Sequence, residues 1–136
     1  MLDLTREDDP TSADAVLLRL RDFNVRKAGD PGYSALTLFL RDEAGEVAGG
    51  LLGDVYYGWL FVRILWVAEE HRGGGHGERL VRAAEEEARA RGCHAMWLDT
   101  FSFQAPGFYR GLGFQEFGRL DDYPPGHARH FFWKPL

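Results

Sequence analysis

The chain has 136 residues, of which 45% are hydrophobic and 14% aromatic, and its formal net charge is −5. A chain of this length is predicted to form one domain, residues 1–136, with a buried core. The acidic balance argues against a general nucleic-acid binder, and no apolar run approaches the roughly 20 residues that a membrane span needs.

The N-terminal half is predicted to place one helix among short strands. Leu2 and Leu4 alternate with polar residues, which indicates a first strand. A helix begins at Pro10, and its apolar side chains recur at helical spacing until a Gly-Asp-Pro-Gly stop at 29–32. Turns at 42–45 and 53–58 then separate three strands, at 35–40, 47–52 and 59–67.

The C-terminal half begins with a long helix that starts at Gly75 or Gly77 and runs to Arg91, where Gly92 is a suitable stop. A strand at 94–100, a short helix at 104–111 and two aromatic-rich strands at 114–120 and 129–133 follow. A meander, a strand–helix–strand crossover and a final hairpin in this order predict an α+β fold. Its sheet is expected to be mixed and mostly antiparallel, with flanking helices.

A glycine-rich loop, Arg72-Gly73-Gly74-Gly75-His76-Gly77, separates the strand at 59–67 from the long helix. The first N–H groups of a helix have no partner within the helix, and the helix dipole adds partial positive charge there. Glycines let the backbone adopt positive φ and let a phosphate approach without meeting a Cβ. The loop therefore predicts a phosphorylated ligand.

Two other glycine motifs fit this loop less well. The phosphate loop of nucleotide triphosphatases ends in Gly-Lys-Ser/Thr, whereas Glu78 and Arg79 follow Gly77 here. A dinucleotide fingerprint starts well, but Leu80 stands where its third glycine or alanine belongs, although Asp99 is a passable ribose ligand. A nucleotide-binding module stays open as a third interpretation.

Two motifs together resemble the GNAT N-acetyltransferase superfamily. Arg72, Gly75 and Gly77 match its phosphate loop, Arg/Gln-x-x-Gly-x-Gly/Ala, and residues 105–114 resemble its Ala-x-x-Phe/Leu-Tyr-x-x-x-Gly-Phe signature. The resemblance runs from about residue 59 to residue 117. It implies transfer of an acetyl group from acetyl-CoA to a primary amine on a small molecule or peptide. It also implies an acyl-CoA wedged between two splayed parallel strands, at 59–67 and 94–100.

The resemblance also implies roles for single residues. Tyr109 holds the superfamily's tyrosine position and is the predicted general acid, and the N–H of Val67 is the candidate that polarises the thioester carbonyl. Ser102 stands where the family often has asparagine, with Gln104 as its alternative. Arg72 either meets phosphate or braces the loop. The predicted CoA-binding residues are Leu65, Trp66, Val67, Arg72, Gly73, Gly74, Gly75, His76, Gly77 and Ser102.

The base that deprotonates the amine is not evident, because the strand at 59–67 contains no carboxylate. Asp54, Glu69 and the loop residues Asp121, Asp122 and His127 are candidates, and a water relay is the expectation. Arg63 either faces solvent or lines the acceptor cleft and favours a substrate carboxylate. Tyr56, Tyr57 and Trp59 either pack structurally or hold an ammonium group on their aromatic faces.

The remaining expectations concern setting and partners. A single cysteine, Cys93, excludes an internal disulfide and fits a cytoplasmic protein. No metal is expected, because His71 and His76 lie on a flexible loop and His127 and His130 lack a clear third ligand. The aromatic C-terminal hairpin offers a homodimer surface. The alternative from another class is a catalytically silent acyl-CoA-binding regulator on the same fold.

Overall fold

The computed structural model describes all 136 residues, in two compact units, Met1–Pro31 and Gly32–Leu136. The first unit contains one helix, α1 (Pro10–Ala28), whose N-terminus is capped by the Asp9 side chain and which ends at Gly29, with φ of 82°. Residues 1–9 form no strand, so the strand predicted at Leu2 and Leu4 is wrong. Three apolar residues among five charged ones bury too little surface to hold a strand in place. The organisation as one domain stays a prediction.

The second unit is a six-stranded sheet of order β1-β2-β3-β4-β6-β5. Every neighbouring pair is antiparallel except β3 and β4, which confirms the predicted mixed, mostly antiparallel α+β fold. A 3₁₀ turn at Glu69–His71 and the helices α2 (His76–Ala90) and α3 (Pro106–Gly111) complete the unit. None of the helices combines the length and the apolar character needed to cross a bilayer. The strands are β1 (Ser34–Arg41), β2 (Val47–Tyr56), β3 (Trp59–Val67), β4 (Ala95–Phe101), β5 (Gln115–Asp121) and β6 (Ala128–Pro135).

Strand β2 is four residues longer than predicted, because Gly53 and Asp54 lie in the strand and not in a turn. A Cβ at Gly53 would come within 2.8 Å of the Phe61 carbonyl oxygen, so glycine is needed there for the close approach of two strands. The turn itself is short, and both of its central residues, Tyr57 and Gly58, have positive φ. That geometry matches the right-handed twist of a two-residue hairpin.

The core lies between the sheet and α2, which contacts β1, β2 and β3. Leu80, Val81, Ala84 and Ala88 recur at helical spacing and are buried, so one stripe of α2 faces the sheet. Phe132 on β6 belongs to the same cluster. The strand positions whose side chains are fully buried are Leu36, Leu51, Leu60, Met96, Leu98 and Phe132.

A buried ion pair joins α2 to β6. Lys134 donates from Nζ to Glu85 at 2.8 Å and to the carbonyl oxygen of Leu112, just after α3, at 3.0 Å. The side chains of Lys134 and Glu85 are only 13% and 5% exposed. Arg82 also donates to both carboxylate oxygens of Glu85. Because α2 follows the glycine loop and α3 carries Tyr109, this pair links the two helices that flank the predicted site.

Candidate functional site

Strands β3 and β4 separate partway along their length. They pair from Trp59↔Ala95 to Val62↔Leu98 and no further, although both strands continue. A cleft of about 820 Å³ opens beyond that point, between the end of β3, the glycine loop, the start of α2 and the segment from the end of β4 to α3. The two parallel strands that the sequence indicated do splay apart.

The open edge of β3 presents backbone groups to the cleft. Ala68 N–H donates to the Ala48 carbonyl at 2.8 Å, so these two residues form a hydrogen-bonded pair. Bonded and non-bonded pairs alternate along antiparallel strands. The N–H groups of Val67 and Leu65, paired in register with Gly49 and Leu51, therefore point away from β2 and toward the cleft.

The glycine loop leaves room for a ligand. Gly73 and Gly75 have φ of 82° and 81°, a left-handed conformation, and a Cβ added at either would meet nothing within 4 Å. Helix α2 begins at His76, and no side chain caps its N-terminus. Its first N–H groups are thus available to an anion at the cleft.

Two other glycines of the loop have different surroundings. A Cβ at Gly77 would lie 3.2 Å from the Phe108 ring, so this glycine permits packing between α2 and α3. Gly74 is the one predicted loop residue that does not line the cleft. A ligand in the cleft would therefore meet the loop chiefly at Gly73, Gly75 and the N-terminus of α2.

Arg72 braces the loop and also lines the cleft. Its Nε donates to the carbonyl oxygen of Val67 at 2.9 Å, which ties the loop to the end of β3. His71 and His76 line the cleft as well, with ring centroids 6.3 Å apart. No group of three or more His, Cys, Asp or Glu side chains is placed to hold a metal ion.

Tyr109, on α3, lines the cleft. Its ring packs edge-on against Phe108 and Phe114 and is almost fully buried. Burial, with a smaller contribution from the negative charge of Asp99, raises the pKa of Tyr109 to about 12. The phenol therefore stays protonated throughout the neutral range and can donate a hydrogen bond into the cleft.

The structure separates the two candidates for the family's asparagine position. Ser102 does not line the cleft; its Oγ accepts from Ala128 N–H at 3.0 Å, in a separate depression that also contains His127. Gln104 does line the cleft. Its Oε1 accepts from Phe101 N–H at 2.9 Å and from Thr100 Oγ1 at 3.2 Å, so its amide nitrogen is left for a ligand.

None of the predicted base candidates lines the cleft. Asp54 accepts a hydrogen bond from the Tyr33 hydroxyl at 2.8 Å and pairs with Arg63 at 3.4 Å. Glu69 is exposed in the 3₁₀ turn. The other three candidates, Asp121, Asp122 and His127, belong to the depression that contains Ser102.

Asp99 does not line the cleft but adjoins Thr100, which does; the sequence suggested only a ribose-binding role for it. It directly follows Leu98, the last β4 residue that pairs with β3. Arg129 donates from Nε to its Oδ1 at 2.9 Å, and Nη2 of Arg129 lies 2.7 Å from the same oxygen as an ion pair. The sequence signal that would have identified it is an aspartate within an apolar strand, since charges are rare inside strands of a core. In the structure it is half-buried between buried Leu98 and buried Thr100.

Comparison with known proteins agrees with this geometry. Residues 2–114 match the Acetyltransferase (GNAT) family. The chain is 46% identical over 95 residues to a blasticidin-S acetyltransferase from Streptomyces morookaense, covering 69% of this chain and 70% of the relative. It is 36% identical over 106 residues to an acetyltransferase from Agrobacterium fabrum, covering 78% of this chain and 77% of that one.

A solved structure extends the similarity to nearly the whole chain. The crystal structure of an acetyltransferase from Bacillus cereus superposes with a TM-score of 0.93, at 32% sequence identity, and the match covers 98% of both chains. The order and direction of the strands around the cleft are thus those of an acetyltransferase fold.

Proposed function

The chain belongs to the GNAT acetyltransferase family, and from that premise we propose which of its residues perform the reaction and what it acetylates. It is an acetyl-CoA-dependent N-acetyltransferase. The observation that carries the residue assignments is the convergence on one cleft of the glycine loop, the free edge of β3 and the Tyr109 phenol. Nothing in the fold or the relatives supports a silent regulator.

The donor would be held by backbone groups. The loop from Arg72 to Gly77 and the uncapped N-terminus of α2 suit the pyrophosphate of CoA. The free edge of β3 at Leu65 and Val67 suits the amide groups of the pantetheine arm, which pair with a strand edge whatever the side chains are. Gln104, whose amide nitrogen is unengaged, takes the contact that was predicted for Ser102.

The reaction replaces a C–S bond by an N–C bond. The lone pair of the neutral amine bonds to the acetyl carbon, while the carbonyl oxygen is polarised by the N–H of Val67. As the C–S bond breaks, its electrons go to sulfur, which takes a proton from Tyr109. The proton that the nitrogen loses passes through water and restores the phenol. The pKa of a thiol, about 8.5, lies below that of Tyr109, about 12. The phenol therefore acts mainly by hydrogen-bonding to the sulfur while the thiolate is forming.

Asp99 is the proposed carboxylate at the acceptor side. Its Oδ1 holds Arg129, whereas the structure gives Oδ2 no hydrogen bond. Its charge contributes to the raised pKa of Tyr109, which supports a place for the carboxylate near the phenol. A carboxylate so placed can orient an amine, and its other oxygen is already bonded to Arg129. Loss of the amine proton to water therefore stays the proposal.

The acceptor is proposed to be a small-molecule amine. The relative that is 46% identical is a blasticidin-S acetyltransferase, which supports a small-molecule acceptor. Release of free CoA thiol from acetyl-CoA, measured with a panel of primary amines, tests this activity. Release with none of the amines, by a folded protein that binds CoA, would support the silent regulator instead.

Two further proposals concern assembly and location. The outward face of the β5–β6 hairpin exposes Phe117 and Leu120 by 56% and 49%, which suits a homodimer contact. Light scattering should show a dimer that Phe117→Asp converts to monomer, and a monomeric parent chain would refute this contact. A reducing cytoplasm fits Cys93, which is a buried free thiol.

A further inference from the structure

Opposite charges stand on the two strands at the point where they part. The last pair between β3 and β4 is Val62↔Leu98, and the next residue on each strand is Arg63 and Asp99. The two residues come next in register beyond that pair; Arg63 lines the cleft, and Asp99 adjoins Thr100, which lines it too. A register shift between Leu52 and Gly53 leaves Arg63 without a partner on β2, which frees it to turn toward the cleft that it lines.

The positive charge is only loosely engaged. Arg63 touches Asp54 through Nη1 alone, at 3.4 Å, and its side chain is 46% exposed. Asp54 is itself committed to the Tyr33 hydroxyl at 2.8 Å. The Nε and Nη2 donors of Arg63 have no partner in the structure, and a guanidinium with free donors matches a planar carboxylate through two parallel hydrogen bonds.

The negative charge is firmly held but not saturated. The hydrogen bond from Nε of Arg129 and the ion-pair contact from its Nη2 both fall on Oδ1 of Asp99, and no hydrogen bond reaches Oδ2. Arg129 cannot easily move away, because its guanidinium lies within 5.1–5.5 Å of the ring centroids of Phe101, Tyr123 and Phe131 and donates to the Tyr123 hydroxyl at 3.0 Å. Oδ2 of Asp99 is thus a fixed acceptor for an ammonium group.

We infer that the acceptor is a small zwitterion, an amine that also carries a carboxylate, such as an α-amino acid. Asp99 holds its ammonium group through Oδ2, and Arg63 holds its carboxylate. The inference rests on the proposed function, since it names the substrate of that same cleft. A simple cationic amine uses only Asp99 and leaves the free donors of Arg63 unused. The four charges at the opening, Asp54, Arg63, Asp99 and Arg129, sum to zero, which suits a molecule without net charge.

The test compares acceptors that differ only at the carboxylate. L-Leucine, L-leucinamide and 3-methylbutylamine share a side chain, and the set is repeated with L-methionine and its two analogues. Thiol release from acetyl-CoA is measured, and kcat/KM is expressed per neutral amine, because the three amino groups differ in pKa. The amino acid of at least one set should exceed its amide and its amine by at least about tenfold, the value of one good charge-assisted hydrogen bond.

Variants assign that preference to the two residues. Arg63→Gln should lower kcat/KM for the amino acid to the level of the amide and leave the amide unchanged. Asp99→Asn should lower kcat/KM for all three acceptors. Arg41→Gln, at the far end of β1, is the matched control and should change nothing. CoA affinity, measured by calorimetry, should stay the same in all three variants, which shows that the fold and the donor site persist.

The possible outcomes distinguish a failure of the zwitterion inference from a failure of the proposed acetyltransferase activity. Equal turnover of acid, amide and amine in both sets, or a preference for the acid that survives Arg63→Gln, overturns the zwitterion and leaves the acetyltransferase intact. Turnover of the amides and amines alone overturns it as well. If neither the six compounds nor any other primary amine causes thiol release, the proposed function is overturned together with the inference.

Discussion

Arg72 donates from Nε to the carbonyl oxygen of Val67 across 2.9 Å, so the residue that opens the glycine loop is bonded to the residue that ends β3. The same carbonyl belongs to the residue whose N–H points into the cleft. Phosphate binding and carbonyl polarisation are therefore assigned to adjacent, mutually fixed pieces of backbone. Damage to the loop should affect donor binding first, since pairing with β2 fixes the position of Val67 independently of the loop.

Gly75→Val is expected to weaken CoA binding by tenfold or more, because a branched side chain resists φ of 81° and would enter the space reserved for phosphate. Gly45→Val is a matched control. Gly45 has φ of 83° and equally open surroundings, but it lies in the β1–β2 hairpin. Calorimetry should show normal CoA affinity for the control. Equal losses in both variants would mean that strain alone explains the effect.

Tyr109→Phe should keep the fold and the CoA affinity while lowering kcat by about 10²–10⁴-fold, the usual contribution of a positioned proton donor. The ring contacts to Phe108 and Phe114 survive the substitution, so the variant removes only the hydroxyl. Stopped-flow measurement of a single turnover reports the chemical step directly. An undiminished single-turnover rate would assign the proton to solvent and leave Tyr109 a structural role.

The rate with an alkylamine acceptor should rise about tenfold per pH unit and continue to rise above pH 8, toward the amine's own pKa of about 10.4. Tyr109 adds no descending limb over this range, because its raised pKa, about 12, keeps the phenol protonated. The measurement is kcat/KM from pH 6 to pH 9.5 in constant ionic strength. A plateau by pH 7 that disappears in Asp54→Ala or Glu69→Ala would identify one of these residues as a base.

Gln104→Leu should reduce CoA affinity, whereas Ser102→Ala should not. The amide of Gln104 lines the cleft, and the Ser102 hydroxyl is bonded to Ala128 N–H outside it. Loss of one hydrogen bond to a neutral partner is worth about 1 kcal/mol, or roughly fivefold in affinity. Calorimetry on the two variants decides between them. A loss confined to Ser102→Ala would restore the interpretation made from sequence.

Lys134→Met should destabilise the fold by about 3 kcal/mol, because it leaves the carboxylate of Glu85 buried without its nearest cation. The double variant Glu85→Leu/Lys134→Met should recover most of that loss, since two apolar side chains need no partner. Arg119→Met, which breaks the exposed pair with Asp121, should cost less than about 1 kcal/mol. Urea unfolding measures all three. A double variant no more stable than Lys134→Met would contradict the account.

The sequence was sufficient for features that depend on spacing along the chain. The glycine loop, the start of α2 and the position of Tyr109 follow from short motifs, and the bounds of β3 agree with its apolar run. These features are local, so hydrophobic periodicity and glycine placement determine them. The α+β class follows in turn from the order of the elements.

Features that depend on partners from distant parts of the chain were not predictable. Gly53 and Asp54 have the composition of a turn, yet the close approach of Phe61 makes glycine a strand residue there. Ser102 stands at the position of the family's asparagine, but its hydroxyl accepts a hydrogen bond from the N–H of Ala128, 26 residues away. The importance of Asp99 depends on Arg129, which lies on β6. Such pairs become visible only once the register between strands is known.

The separation of β3 and β4 gives the sheet an edge in its interior. A strand edge at the periphery of a sheet can recruit another protein chain and so promotes aggregation. The edge of β3 beyond Val62 instead lines a cleft with the glycine loop, α2 and α3, and these elements restrict the approach of a protein strand with its side chains. Only a slender molecule with amide groups along its length can add to it. The same unpaired backbone that would be a liability on the outside thus becomes, inside the fold, a means of selecting ligands by their width.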